Sequence, residues 1–336
     1  MTEPLDDRKA GILRAVVEEY IDTAQPVGSS RIVQTGGLQV SAATVRNELS
    51  VLEREGYLAQ PHTSAGRVPT EKGYRFFVDQ LTPKGTLQPA QRQAVQSFFN
   101  TTHGALEQML HDTSRLLSNL TDYAAVVVGP PHEAATIRSI QLVGLAPRVA
   151  LLVAVLSNGV VEKRSIELDE DTGDEVVSAA SAGLAGALVG QVVGADVAVA
   201  PAGDARVDAV AAAALHELHA NHDDEPDHVF VGGASRMASA FDAVGTVGQV
   251  LQILEQQYVV VSLLKDVLDR GLSVAIGSEV GNESLAECSV VVAPYEVEGE
   301  AAGTIGVIGP TRMKYPQALA AVALVSQRLG RRLSEG

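Results

Sequence analysis

Apolar residues at Ile12, Leu13, Val16, Val17, Tyr20 and Ile21 recur at i, i+1, i+4, i+5, i+8 and i+9, a spacing that predicts an amphipathic helix near the start of the chain. Asp6 and Asp7 stand where acidic groups favour the positive end of the helix dipole. Beyond Pro26, Ser29 or Ser30 is placed to cap a short second helix to about Gln34, which Gly36-Gly37 would stop. Ser41 then caps a third helix that ends at Gly56. Two extended pieces, Tyr57–Gln60 and Arg67–Pro69, flank the loop "PHTSAG", and Thr70 caps a fourth helix carrying Tyr74, Phe76, Phe77, Val78 and Leu81. Three helices, a hairpin and a helix in this order predict a winged helix-turn-helix.

Pro83, Gly85 and Pro89 mark a hinge over 83–90, and a helical stretch follows to about Asn119. The period then changes. "YAAVVVG", "IRSIQLVGL", "RVALLVAVLS" and "VVEKRSIEL" read as strands, the last two joined by an Asn158-Gly159 hairpin turn. From Asp171 to His222 the chain is helical and rich in Ala and Gly; "HVFVGG" is a strand, and 246–270 is helical again. "LSVAIG", "CSVVVAPYEV" and "GTIGVIG" return to strand before a closing amphipathic helix, "PQALAAVALVSQRLGRRL". The expected class is therefore an α+β multidomain protein. Its units are a winged helix over 1–82, the hinge, a sheet domain over 91–170 and 246–336, and a helix-rich insertion over 171–245.

Charge changes this picture at one place. The formal net charge of −16 over 336 residues argues against nucleic acid as a partner. Yet residues 1–82 hold 9 Lys/Arg against 11 Asp/Glu, and within 29–78 the balance is 6 against 4, so the acidity lies elsewhere in the chain. The first residues, "MTEPLDDRK", carry no basic-then-apolar targeting pattern. The apolar run "VALLVAVL" at 149–156 is far short of the roughly 20 residues that span a bilayer. A single cysteine, Cys288, suits a reducing compartment, so a cytoplasmic location without membrane association is expected.

On the third helix Val45, Leu49 and Leu52 share one face and belong to a core. The opposite face carries Ala43, Asn47, Ser50 and Arg54, flanked by Thr44 and Arg46. A merely solvated helix would show Glu and Lys there. Small residues let a helix sink into a groove, Asn bonds an adenine edge, Arg a guanine edge or phosphate, and Ala a thymine methyl. In the loop, Pro61 stiffens the approach, Gly66 lets the backbone turn, and Thr63, Ser64 and Arg67 are expected phosphate donors. The expected contact set to double-stranded DNA is Ser41, Ala43, Thr44, Arg46, Asn47, Ser50, Arg54, His62, Thr63, Ser64 and Arg67.

The stretch "SAATVRNELSVLEREGYLAQPHTSAGRVPTEKGYRFFVD" resembles the N-terminal signature of the HrcA family, heat-inducible transcription repressors of bacteria. "VIGPTRMKYPQALAAV" resembles that family's C-terminal segment, and "IGSE" and "CSVVVAPY" stand in the expected order before it. The Ala-rich block at about 170–225 is the least similar part. The resemblance implies a winged-helix domain, a GAF-like domain and a dimerising domain inserted into the latter. It also implies a homodimeric repressor on an inverted-repeat operator of chaperone genes, supported by the GroEL chaperonin.

The remaining constellations point to no cofactor. "HELHANHDDEPDH" gathers His216, His219, His222 and His228 near Asp223, Asp224 and Asp227, but the spacing matches no closed metal site and reads as a solvated helix end. Cys288 sits in an alternating apolar run and reads as a small buried hydrophobe. The Gly-rich pieces lack phosphate-cradling patterns, and no catalytic arrangement stands out, so an enzyme is not expected. The alternative from another class is a transcriptional regulator that senses a small molecule or metal through the GAF-like domain.

Overall fold

The computed structural model describes residues 5–35, 40–62, 66–81, 86–101, 106–130, 135–157, 161–195, 197–220, 229–236, 241, 244–271, 273–297 and 299–335. At the N-terminal end, α1 (Asp7–Thr23), α2 (Ser29–Thr35) and α3 (Ala42–Arg54) precede a two-stranded ribbon of β1 (Leu58–Ala59) and β2 (Val68–Pro69), followed by α4 (Glu71–Asp79). The predicted apolar stripe is what holds this head together: Ile12, Leu13, Val16 and Val17 of α1 are buried with Ile32, Val45, Leu49 and Leu52. Each such side chain contributes about 1.5–3 kcal/mol by leaving water. The Asp6 carboxylate accepts the Lys9 N–H at 2.8 Å and caps α1, and Gly56 ends α3 in a left-handed conformation at φ 80°.

After α5 (Pro89–Thr101) and α6 (Leu106–Thr121) comes a sheet made from distant parts of the chain. Its strands are β3 (Ala124–Val128), β7 (Val229–Gly232), β8 (Val274–Ile276), β9 (Cys288–Val297) and β10 (Glu300–Pro310). They lie in the order β7-β3-β10-β9-β8 and every pair is antiparallel. Strand alternation sends Ala125, Val127, Val291, Ile305 and Val307 to one face, packed with α5, α6 and the last helix α11 (Tyr315–Ser334). Ala124, Val126, Val128, Val290 and Val292 go to the other, against α9 (Val244–Glu255) and α10 (Gln257–Asp269). Covering on both faces explains why these strands are apolar at consecutive positions.

A second sheet stands apart, and here the structure corrects the expected boundaries. Strands β4 (Ile137–Ala146), β5 (Val149–Leu156) and β6 (Val161–Glu167) form their own sheet in the order β4-β5-β6 and, among the described residues, pair with no strand of the larger one. With α7 (Asp174–Leu188) and α8 (Ala205–Ala220) they form one unit, so 135–168 belongs to the insertion and not to the larger sheet. Strand β7, expected inside the 171–245 insertion, pairs instead with β3. The reason is polarity. "VEKRSIE" is mostly polar, is buried only at Glu162 and Ile166 and tolerates one wet face, whereas "AAVVV" is buried at every position. Along β5, Ala150, Leu152, Ala154 and Leu156 are buried beneath the helices while Leu151, Val153 and Val155 remain half-exposed. The hairpin turn expected at Asn158-Gly159 lies outside the described residues, but the pairing of Val155 with Val161 places both strands as predicted.

The insertion leaves the larger sheet at one point, because Val128 and Val229 are register partners at adjacent strand ends. Replacing 129–228 with a short hairpin turn should therefore leave a folded five-stranded sheet. Deleting 171–245 should not, since it removes β7 and strips α7 and α8 from β4–β6. Cooperative thermal unfolding followed by circular dichroism distinguishes them; the assignment fails if the second deletion melts cooperatively and the first does not.

Candidate nucleic-acid interface

Three backbone devices position the outer surface of the head. The Ser41 hydroxyl accepts the Thr44 N–H at 3.1 Å and starts α3, as predicted. The Thr70 hydroxyl accepts the Gly73 N–H at 3.2 Å, starting α4, and bonds the Gly56 carbonyl at 2.7 Å, tying the end of α3 to α4. Val27 and Arg67 exchange backbone hydrogen bonds at 2.8 and 2.9 Å, so the segment before α2 acts as a third strand beside the ribbon. Gly66 is required there: a Cβ would stand 2.5 Å from the Val27 carbonyl.

The helical rotation predicted for α3 matches the structure. Val45, Leu49 and Leu52 are buried, while Ala43, Arg46, Asn47, Ser50 and Arg54 are exposed. Ser41 is exposed and Thr44 half-buried, their hydroxyls 2.9 Å apart. Ser50 spends its hydroxyl proton on the Arg46 carbonyl at 3.1 Å, which leaves it an acceptor outward. Of the loop residues, His62 is exposed; Thr63 and Ser64 lie outside the described residues.

Arg67 departs from expectation. Its Nε donates to Glu53 Oε2 at 2.9 Å and a terminal nitrogen reaches the same oxygen at 2.8 Å, with the side chain only 17% exposed. The guanidinium expected at phosphate is a strut from the ribbon to the back of α3. Sequence reasoning passed over Glu53 because α3 alone gives no sign of a partner across the ribbon.

The same pairing occurs around α3. Glu48 lies 3.8 Å from Arg8, and Glu55 3.7 Å from Lys9. Lys72 donates to the Glu55 carbonyl at 2.8 Å and covers the Tyr57 ring, and Arg31 is held by Glu19 at 2.7 Å. The carboxylates of and just beyond α3 thus each meet a cation. Arg46 and Arg54 are exposed and, among the described residues, form no ion pair. The outer face of α3 is left with an uncompensated pair of guanidiniums beside an amide, in a chain that is acidic elsewhere. Arg75, part of the local basic surplus, points away from this face and pairs with Glu279.

Among the described residues no group of three His, Cys, Asp or Glu side chains could hold a metal ion; His222, Asp223, Asp224, Asp227 and His228 lie outside them. Cys288 is fully buried, and burial, reinforced by the Glu287 charge, pushes its thiol up to about 12, so it stays protonated. No described helix is long and apolar enough to cross a membrane.

A family model described as "HrcA protein C terminal domain" matches residues 107–319. The heat-inducible transcription repressor HrcA of Pseudarthrobacter chlorophenolicus is 41% identical over 340 residues, covering 98% of this chain and 99% of the relative. Its namesake from Mycobacteroides abscessus is 40% identical, covering 97% of each chain. That of Pelotomaculum thermopropionicum is 36% identical, covering 97% of this chain and 96% of its own. A solved structure described as "a hypothetical protein at 2.2 A resolution" shares the fold over 99% of both chains, with a TM-score of 0.67 at 20% identity.

Removing the strut should loosen the ribbon. Arg67→Ala is expected to cost the head about 1–2 kcal/mol, as for a partly buried charge-assisted pair. Glu53→Gln should cost nearly as much, and the double variant little more. Hydrogen exchange at the Val27 and Arg67 amides reads this directly; additive losses would show that the two side chains act independently.

Proposed function

The chain belongs to the HrcA family of heat-inducible transcription repressors, and from that premise we propose that residues 1–82 form a winged helix-turn-helix reading an inverted-repeat operator upstream of chaperone genes. The observation that carries this reading is the outer face of α3, where Arg46, Asn47 and Arg54 are exposed while the neighbouring carboxylates are paired inward. Helix α3 lies in the major groove, with Asn47 on a base edge and Arg46 and Arg54 on phosphate or guanine. Ser41, Thr44 and the 61–66 loop, with His62, Thr63 and Ser64, meet the backbone at the rim. Arg67 supports the loop without touching DNA.

The repressor acts as a cytoplasmic homodimer, matching the symmetry of its operator. The open face of the three-stranded sheet supports this, since Val143 and Val161 are exposed there beside the half-exposed Leu151, Val153 and Val155. An apolar sheet face of this kind is suited to a second copy of the same chain. The chain with 129–228 replaced should therefore run as a monomer in sizing at concentrations where the full chain is dimeric.

The five-stranded domain is GAF-like in this reading. Between its sheet and α10 the described residues leave a cavity of about 50 Å³, lined by Val128, Val261, Leu264, Lys265 and Thr304. Metabolite pockets run to roughly 300 Å³ and above. A cavity of that size is too small for a metabolite, which favours a structural role for this part of the domain over small-molecule sensing.

Activity depends on the GroEL chaperonin as a folding aid. Strand β3 must find β10 across an insertion and two further helices before the sheet can close. Such long-range pairing is slow and exposes apolar intermediates. Chaperonin should raise the fraction of molecules able to bind operator without entering the complex; a stable assembly of chaperonin, repressor and DNA in a sizing experiment would contradict this.

Affinity measured against salt, on operator and on scrambled duplex, separates the DNA contacts. Asn47→Ala should cost about 1–3 kcal/mol per half-site on operator and little on scrambled DNA. Arg54→Ala should weaken both and lower the salt slope by about one unit per subunit. Arg67→Ala should leave the slope unchanged. Equal losses on both duplexes for Asn47→Ala would remove it from the base-reading role.

A further inference from the structure

Helix α4 faces away from the DNA-reading surface and carries a set of polar contacts to the sheet domain. Arg75 donates through Nε to Glu279 Oε1 at 2.9 Å and through a terminal nitrogen to Glu279 Oε2, so the pair is bidentate. The same nitrogen donates to the Val274 carbonyl at 2.7 Å, at the start of β8. Glu279 is held in turn by the Ile276 N–H at 3.0 Å. One turn earlier on α4, the Glu71 carboxylate accepts the Ser278 N–H at 3.0 Å and the Ser278 hydroxyl at 2.5 Å. Gly277 admits that carboxylate. Its φ of 56° suits glycine, and a Cβ there would fall inside the Glu71 side chain.

Apolar contact accompanies these bonds. Tyr74 of α4 meets Tyr315 at the start of α11 with ring centroids 6.0 Å apart. The Tyr74 hydroxyl is buried with no hydrogen-bond partner among the described residues. The joint is thus directional: bidentate and charge-assisted bonds specify an angle, whereas greasy contact specifies only proximity. Two carboxylate clasps one turn apart on α4, one accepting from the head and one from the sheet domain, hold the helix to the 277–280 turn in a defined orientation.

We infer that Arg75–Glu279 and Glu71–Ser278 form a positioning latch, which fixes the head on the sheet domain and so sets the half-site spacing that a dimer accepts. This rests on the operator reading above. With the latch closed, binding of one head presents the second at high effective concentration to a half-site at one spacing and at low concentration to others. With it open, the heads read single half-sites as before but lose that geometric selection.

The test compares wild type, Arg75→Gln, Glu279→Gln and Gly277→Ala. The last disturbs the Glu71 clasp without altering any charge. Each is measured on a single half-site, on the full inverted repeat, and on repeats with the spacer lengthened by half a turn and by a full turn of duplex. Single half-site affinity should change by no more than about twofold, while the preference for the native spacing over the half-turn insertion should fall by about tenfold. In parallel, spin labels on cysteines introduced at the exposed Asp22 and Gln327 report the head-to-core distance, which should be narrow in wild type and broad in the variants. Cys288 is buried and does not compete for label. Variants that keep wild-type spacing preference overturn the latch, whether or not their distances broaden. Losses equal on the single half-site and the full repeat overturn it too, because they place the residues in reading rather than positioning. A wild type that binds operator no better than scrambled duplex overturns the operator reading itself.

Discussion

Everything in this chain is organised around β3. Its five residues are buried on both faces and paired on both edges, to β7 about a hundred residues later and to β10 later still. Exposing such a strand would leave two rows of unpaired backbone groups and consecutive apolar side chains in water, and each unpaired group in the interior costs about 1–3 kcal/mol. Strand β3 can thus be satisfied only when both distant partners have arrived. That constraint forces the intervening polypeptide out through the β3–β7 corner as a self-contained unit. It also brings the C-terminal helix back to the α4 side of the molecule.

The two sheets solve different problems with the same alphabet. The larger one is walled by helices on both faces and accepts apolar residues at every position. The smaller one has α7 and α8 on one face only, and its strands carry Lys163, Ser165 and Gln141 among the valines of the other. An open face of mixed character is what a reversible contact between subunits needs. A fully apolar one would drive aggregation of the free chain.

Charge is arranged with similar economy. An acidic protein can approach DNA only if its negative groups are kept from the contact surface, since unscreened repulsion acts over about a Debye length, near 8 Å at physiological salt. Here the glutamates nearest α3 are turned back against Arg8, Lys9 and Arg67. The cations that do this leave the outer face of α3 clear of carboxylates without standing on it. Arg75, on the next helix, does comparable work toward the sheet domain through Glu279.

Much of this was legible in the residues alone. The period of α1, the hydroxyl caps at Ser41 and Thr70, and the buried and exposed faces of α3 follow from interactions within four positions of each residue, so sequence by itself determined them. The strands were legible for the same reason. Their partners were not, because "IRSIQLVGL" and "HVFVGG" carry no mark of which distant edge they will meet; burial on one face or on both decided it, and moved both across the expected boundary. Nor could spacing reveal that Arg67 is spent on Glu53 or that Arg75 reaches Glu279, more than two hundred residues away. Local sequence fixes which groups a helix presents, but a charge meets its partner through space, and only the tertiary structure decides which cations around α3 are paired and which face outward.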